Sequence, residues 1–584
     1  MAQSISIDSP ADQSPIAPAA TLDITWTLHT RCSVKNATIT EVRVDGVLQN
    51  CYGACSGAGG TITLYTASFP NNCMHTIQLK AYARADSFCN PAYLTTFYSS
   101  VITIYDASVA YDECEDPPPC ETSTMGGPVD VANGKMWYTQ EDLKIDGPMP
   151  LVFARTFVHR NAGTSGPLGY GWTHSYAMSL GNSGGSMATF IGAAGKRANF
   201  PKRGDGTFDS NRRHHLTVTT ITGGFRVTTK DQTKYDFNAG GKLTLVTDRN
   251  GNTVTLAYDG SNRLWTVTDA FGRGFTLSYD TSNRLQSLTD GTRTVTYGYD
   301  VNGNLQTVVD GAGKTWTYAS DGSHRFVSVT DPLSHVVEAF TYDGSNRVQT
   351  FQRDAGNEAL TFTYTSPSLT SVANSLGNAT AFTLDTFNGV ATAISGPGCS
   401  SCGTGVTAAF VRDGYLNKTQ ITDGDGNITN QTFDFWGDVL TKTEAFGTTL
   451  ARTTTYTYEP TYQFLATATV PSVDTSGHNR VATYTYNGSN GDLLTENLSG
   501  YSNGSAFSHT TTYTYDSHGQ VQTIDGPRTD VSDVTAYAYY ADSDSDPAKR
   551  GRLHTLTDAL GHVTTIDGHT LSGKPTITVD QNGV

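Results

Sequence analysis

Three seven-residue stretches of this chain are nearly the same: YDGSNRL at 258–264, YDTSNRL at 279–285 and YDGSNRV at 342–348. The aspartates that mark this pattern, Asp236, Asp259, Asp280, Asp300, Asp321 and Asp343, follow one another at steps of 23, 21, 20, 21 and 22 residues. Thr365 holds the next expected position, Asp385 follows, and weaker copies continue at Asp434, Tyr458-Glu459, Tyr486-Asn487 and Tyr515-Asp516. A period of 20 to 23 residues constrains the fold more than any other feature, because a unit that short cannot bury a hydrophobic face alone and must stack on its neighbours.

One copy, Thr253 to Arg273, shows what the unit is. Val254, Leu256 and Tyr258 share one face of a strand, and Thr253 and Thr255 share the other. Asp259 can accept backbone N–H bonds across a tight turn, in which Gly or Asn tolerates positive φ. Arg263-Leu264 opens a return strand that ends at Asp269, and a second turn, AFGR, follows. RNGN after Asp248, GAGK after Asp310 and ALGH after Asp558 are further second turns. Each repeat therefore reads as a β-hairpin with a turn at both ends. A lone hairpin is marginal in water, whereas stacked hairpins pair every strand and bury one aromatic face. A slip of one residue would turn the tyrosines to the wrong side. The expected product is a long, twisted, spiralling antiparallel sheet, in which Tyr258, Asp259, Tyr279, Asp280, Tyr299, Asp300, Tyr342 and Asp343 are structural residues.

The net charge of −16 argues against nucleic-acid binding, which needs clustered cations, and no apolar run is long enough to span a membrane. The start, MAQSISIDSPADQSP, lacks the basic and apolar regions of a signal peptide and reads as a processed or artificial start. Seven of the nine cysteines, Cys32, Cys51, Cys55, Cys73, Cys89, Cys114 and Cys120, fall in the first 120 residues, which points to disulfides in an oxidising compartment with the pairing open.

After a flexible start over 1–20, the runs LDITWTLH, ATITEVRVDG, TITLYTAS, HTIQLKAYA and SVITIYDA alternate apolar and polar residues, so residues 21–112 are expected to form a disulfide-rich β-sandwich resembling immunoglobulin-like modules. A Pro-rich linker, 113–125, ends it, and a glycine-rich β segment, 126–230, precedes the repeats of 231–584, which stop inside a turn-like TVDQNGV. Within that segment Gly166, Gly169 and Gly171 crowd Trp172, and His174 beside it has no nucleophile arrangement around it.

The repeated Tyr-Asp pairs, with Gly-x-x-Arg-Leu or the Asn-Gly-Asn-Leu of 302–305 behind them, closely resemble the YD-repeat, or RHS (rearrangement hot spot), family, and the stretch Gly126–Tyr176 resembles the segment that precedes the repeats in its bacterial members. The resemblance covers about 126–584. It implies an all-β chain, the N-terminal sandwich leading into a partial shell, or cocoon; in bacterial toxins of the family such a shell encloses a variable toxin, and in teneurins it belongs to an adhesion receptor. The closing segment with Asp-Pro and Gly motifs is not found, so self-cleavage is not carried over.

Two constellations compete with a purely structural reading. Cys399 and Cys402, in SGPGCSSCGTG, suit a local structural disulfide in a glycine-rich loop better than a redox pair, which wants a helix N-terminus. Asp423, Asp425 and Asn427, with Asp434 at the twelfth place, resemble the start of a calcium loop, but Ile428 stands where glycine is needed, and the simpler reading is a repeat turn with no cofactor. The expected function is a non-enzymatic, secreted or cell-surface shell scaffold that encloses or displays a protein cargo or partner. The alternatives are an adhesin that binds glycans or another cell surface, and a fibre subunit that self-associates through strand edges.

Overall fold

A computed structural model describes the backbone of the strands between Ser4 and Met125, and the chain from Val129 to Asp580 except 184–186, 204, 212–214, 387, 397–406, 472–476 and 503, with the side chains of 182, 183 and 407. All nine cysteines, Cys399 and Cys402 among them, lie outside the described residues.

The strands before residue 107 form two sheets. One orders Ser4–Ser9, Leu22–His29, Gly59–Leu64 and Tyr52–Gly53; the other orders Ser14–Ile16, Ile102–Asp106, Met74–Arg84, Asn36–Val44 and Val47–Gln49. Further on, Trp137–Ile145, Leu151–Val158 and Trp172–His174 make a three-stranded antiparallel sheet, and Ser179–Ser183, Met187–Ile191 and Arg197–Pro201 make another.

From Thr217 to Val579 the chain is one sheet of 32 strands in which every strand pairs antiparallel with its neighbours in sequence. It begins at Thr217, ahead of the first Tyr-Asp marker, because the hairpin Thr217–Thr228 pairs directly with Lys234–Asn238. Along one rim lie the Tyr-Asp turns; along the other lie the second turns, called counter-turns below. Strands alternate as expected, with Val254 and Leu256 buried and Thr255 exposed.

Each repeat also carries a feature that the pattern of apolar residues does not announce. Ala257 pairs with Thr266, but Tyr258 pairs with Leu264, which leaves Trp265 as an extra residue. The same bulge recurs at Tyr279/Leu285, Tyr299/Leu305, Tyr342/Val348, Tyr458/Leu465, Tyr486/Leu493, Tyr515/Val521 and Tyr539/Leu553. A bulge bends its strand and increases local twist. Repeated on the return strand in hairpin after hairpin, with Glu358–Ser366 the exception in carrying its extra residue, Thr365, on the outgoing strand, the bulge curls the sheet until it meets itself. Counter-turns of the first coil then touch Tyr-Asp turns of the second: Arg249 pairs with Asp492 at 3.3 Å, the Asn252 side chain donates to the His518 carbonyl at 2.9 Å, and the Arg550 guanidinium donates to the Phe271 carbonyl at 2.9 Å.

Candidate functional site: the turns and the inner face of the wall

The Tyr-Asp turn is a closed bonding unit. Asp259 Oδ1 accepts the backbone N–H of Ser261 and of Arg263, both at 2.9 Å, while Oδ2 accepts Arg263 Nε at 2.8 Å. Asp280, Asp321 and Asp343 repeat this arrangement with Arg284, Arg325 and Arg347, and Asp300 repeats it with the Asn304 amide. Asn262, Asn283 and Asn346 take the left-handed conformation here, at φ 63, 62 and 61°. Bonds from Arg263 hold the Asp259 carboxyl below the usual carboxylate range.

Each turn also ties its hairpin to both neighbours. The hydroxyls of Tyr258, Tyr279 and Tyr299 donate to the carbonyls of Leu243, Leu264 and Leu285, each at 2.7 Å, one hairpin back. Tyr342 does the same to Phe326. In the other direction the guanidiniums of Arg263, Arg284, Arg325 and Arg347 sit 4.6, 4.4, 4.5 and 4.2 Å from the ring centres of Tyr279, Tyr299, Tyr342 and Tyr364. Burial raises the Tyr258 hydroxyl to about 12, so it stays a donor at any physiological pH. The pattern outlasts the sequence marker: Tyr364, Tyr458, Tyr486 and Tyr539 bond back to Val348, Val439, Leu465 and Val521 although Asp is absent after Tyr364, Tyr458, Tyr486 and Tyr539.

The segment Val129–Tyr176 lies on the aromatic face of the first hairpins as a plug. At the Tyr-Asp rim, the Val348 and Leu285 N–H groups donate to the carbonyls of Gly134 and Pro167, and Tyr170 stacks on His324 at 3.7 Å. At the opposite rim, Arg293 donates to the Lys144 carbonyl at 2.7 Å, so the plug crosses the wall from edge to edge. Glycine permits the fit: Gly169 has φ +83°, and a Cβ there would stand 2.5 Å from the Gly303 carbonyl oxygen. Between the rims, Tyr138 stacks on Phe326, Phe153 meets Phe275 edge-on, and Trp172 meets Tyr318.

At the centre of this contact is a buried ion pair. Arg155 Nε donates to both oxygens of Asp142 at 2.9 and 3.0 Å, Arg155 Nη2 donates to the Tyr318 hydroxyl at 2.6 Å, and the Tyr297 hydroxyl donates to Asp142 at 2.8 Å. Burial works against the Arg155 charge, but Asp142 and the tyrosines outweigh it, and the guanidinium holds its proton more tightly than a free arginine. The continuous core that the plug completes runs from Val129 to Ile394; among the described residues no strand from Thr407 onward contributes to it. In those later hairpins Tyr456, Tyr458, Tyr484 and Tyr486 occupy the same strand positions half-buried.

Comparison with known families places two models on the chain: a teneurin YD-shell over residues 207–386 and a domain of unknown function, DUF6531, over 126–200. The chain is a YD-repeat (RHS) family protein. Among solved structures the YD-repeat chain is similar to TcdB2-TccC3-TEV, at 12% identity and TM-score 0.33 over 89% of this chain and 30% of that one. It is likewise similar to the Photorhabdus luminescens Tc holotoxin pore, at 10% identity and TM-score 0.34 over 87% of this chain and 31% of that one. It thus spans about a third of the length of those chains. No curated protein matches it.

The eight Tyr-Asp residues singled out in the sequence sit in the turns as described. The calcium constellation is not assembled. Asp423 spends its oxygens on the N–H groups of Asp425 and Asn427 and on the Asn427 amide, as Asp300 does in its own turn. Asp434 belongs to the turn at the other end of the strand Ile428–Phe433, about 20 Å away at the rise of a strand, where it accepts from Trp436 and Asp438. His174 is a core residue, stacked on Phe153 at 4.9 Å with its pKa lowered to about 4 by burial. Sequence reasoning missed Arg155 and Asp142. Their only signal was a single charge, Arg155, within the largely apolar run LVFARTFV.

Proposed function

We propose that this YD-repeat wall is a non-enzymatic scaffold, secreted or displayed at a cell surface, whose inner face holds a protein cargo. One observation carries the reading. The same aromatic strand positions that are sealed under the plug between Phe275 and Phe362 are left half-buried, with no segment over them among the described residues, from Thr407 to Val579. A curved surface of tyrosine rings and threonines offers a polypeptide both apolar contact and hydroxyl groups to bond. The two sheets before residue 107 are proposed to be an immunoglobulin-like display module, stapled by disulfides among the seven cysteines there, with 113–125 as linker and 126–230 as the segment leading into the repeats.

A disordered passenger fused after Val584 tests enclosure. Protection of the passenger from trypsin, lost when Tyr484 and Tyr513 are both changed to Asp, is the expected result; digestion at the rate of the free passenger would rule enclosure out. The adhesin reading calls for rings clustered on the outer face. The exposed rings among the described residues are few: Trp265 and Tyr501 stand in distant hairpins, and Phe435 and Phe446 lie at opposite ends of the strand Val439–Glu444. The fibre reading predicts concentration-dependent association, and a monodisperse monomer at high concentration would count against it.

A further inference from the structure

The repeat departs from its own pattern in three places that meet where the coil touches itself. The counter-turn Asp290-Gly-Thr-Arg293 is one residue shorter than Asp269–Arg273 before it and Asp310–Lys314 after it, and its Asp290 N–H donates to the Arg293 carbonyl. The turn after Tyr539 is far longer than the others: Tyr539 pairs with Leu553, where Tyr258 pairs with Leu264. In the next hairpin, His569-Thr570 stands in place of the Tyr-Asp pair. His569 Nε2 keeps the tyrosine's bond one hairpin back, donating to the Leu553 carbonyl at 2.8 Å, and Thr570 Oγ1 accepts the Lys574 N–H at 3.1 Å as the aspartates do in their own turns. The hairpin fold is preserved at each departure, and the space between the three turns is what changes.

These turns wall a cavity of about 520 Å³, to which the short one brings Arg293, the long one Asp546 and Pro547, and the altered one Leu571 and Ser572. The plug ends beside it, with the Asp146 N–H donating to the Leu571 carbonyl at 3.1 Å. Arg293 spends Nε and Nη2 on Asp290 and on the Lys144 carbonyl, which leaves Nη1 uncommitted. Asp546 accepts the Ala548 N–H through Oδ1 at 2.9 Å, which leaves Oδ2, and among the described residues no cation pairs with this carboxylate. Small-molecule sites occupy roughly 300–1,000 Å³ and combine apolar walls with a few polar groups that fix orientation. Pro547 and Leu571 supply the walls here, and the polar groups carry both signs of charge. A cation would meet the spare N–H groups of Arg293, and an anion would meet Asp546. An uncharged molecule would strip water from the Asp546 carboxylate without giving it a counter-charge. A molecule that bears both charges answers both groups.

We infer that this cavity binds a small zwitterion of the α-amino-acid or dipeptide class, its carboxylate on Arg293 Nη1, its ammonium on Asp546 Oδ2 and its side chain against Pro547 and Leu571. Arg293 belongs to the first coil and the other walls to the second, so the ligand ties the two coils together beside the end of the plug. The inference is independent of what the inner face holds. Titration calorimetry and thermal unfolding of the full chain with L-leucine and glycyl-L-leucine test it. A saturable rise in the thermal midpoint is expected, lost when either charge of leucine is capped, as in leucinamide and N-acetyl-leucine. Asp546→Asn, which keeps the bond to the Ala548 N–H, is expected to weaken binding about tenfold or more, the loss of one charge-assisted bond. Ala548→Trp, which places a ring in the cavity, is expected to abolish it. Equal shifts from the capped compounds, equal binding of glucose, full binding by both variants, or no saturable effect of either zwitterion would each overturn it.

Discussion

Between Phe275 and Phe362 the wall is two layers thick, with the plug's rings packed on its own; between Thr407 and Val579 the same hairpins stand with nothing over their inner face among the described residues. The turns hardly differ. Asp259 and Asp423 both spend one oxygen on two backbone N–H groups, and Tyr299 and Tyr486 both bond one hairpin back, at 2.7 and 2.8 Å. The contrast separates two sources of order that most folds mix. Hairpin-to-hairpin ties suffice to set the shape of the wall, and burial adds strength only where a partner surface arrives.

That separation can be broken most directly at Arg155. Arg155→Ala strips the buried Asp142 of its ion-pair partner, a change that costs about 3–5 kcal/mol; hydrogen exchange is expected to quicken across Gly274–Thr330 and to stay unchanged across Arg452–Tyr515. Equal quickening in both regions would mean that the two halves unfold as one. Phe326→Ala, which removes a ring touching Tyr138, Phe157 and Trp172, should cost a comparable 3–5 kcal/mol, whereas Tyr484→Ala in the uncovered half should cost about 1 kcal/mol or less by denaturant titration.

Acid sharpens the comparison next. Burial lowers both His159 and His174 to about 4, and both belong to the plug. Unfolded histidine titrates near 6.5, so the unfolded chain takes up the proton first; stability is complete above about pH 6.5 and falls as pH drops towards 4. Plug release, followed by near-ultraviolet circular dichroism, is therefore expected over that window, and His174→Phe should flatten part of it. The Tyr-Asp turns hold until lower pH. The Asp259 carboxyl lies below the usual range because of bonds from Arg263, as does that of Asp423 in a counter-turn because of bonds from Asn427, so their contribution is present above about pH 3.9 and is lost as pH falls through the folded value. Smallest of all, Tyr299→Phe and Tyr486→Phe each delete one hydroxyl bond, worth about 1 kcal/mol, with the larger loss at Tyr299, whose ring is more deeply enclosed.

Much of this was legible from residue spacing. The 20-to-23-residue step predicts hairpins, the Val254-Leu256-Tyr258 alternation predicts which face is buried, and Asp259 predicts its own turn bonds. What spacing could not convey is where distant turns meet. His518 lies on Asn252 because 23 strands of accumulated bend bring them together, a sum over geometry that no local window contains. The plug was visible as a glycine-rich segment, but its place on the aromatic face depends on Gly169 and Gly171 letting backbone pass Gly303 and the Phe157 ring.

Because a single unpaired residue such as Trp265 sets the curvature of each hairpin, winding is a per-unit property. Gaining or losing whole units would lengthen or shorten the coil at constant diameter, whereas deleting only the unpaired residues would straighten it. The size of such a compartment can thus be inherited as a number of copies, with no new contact to invent.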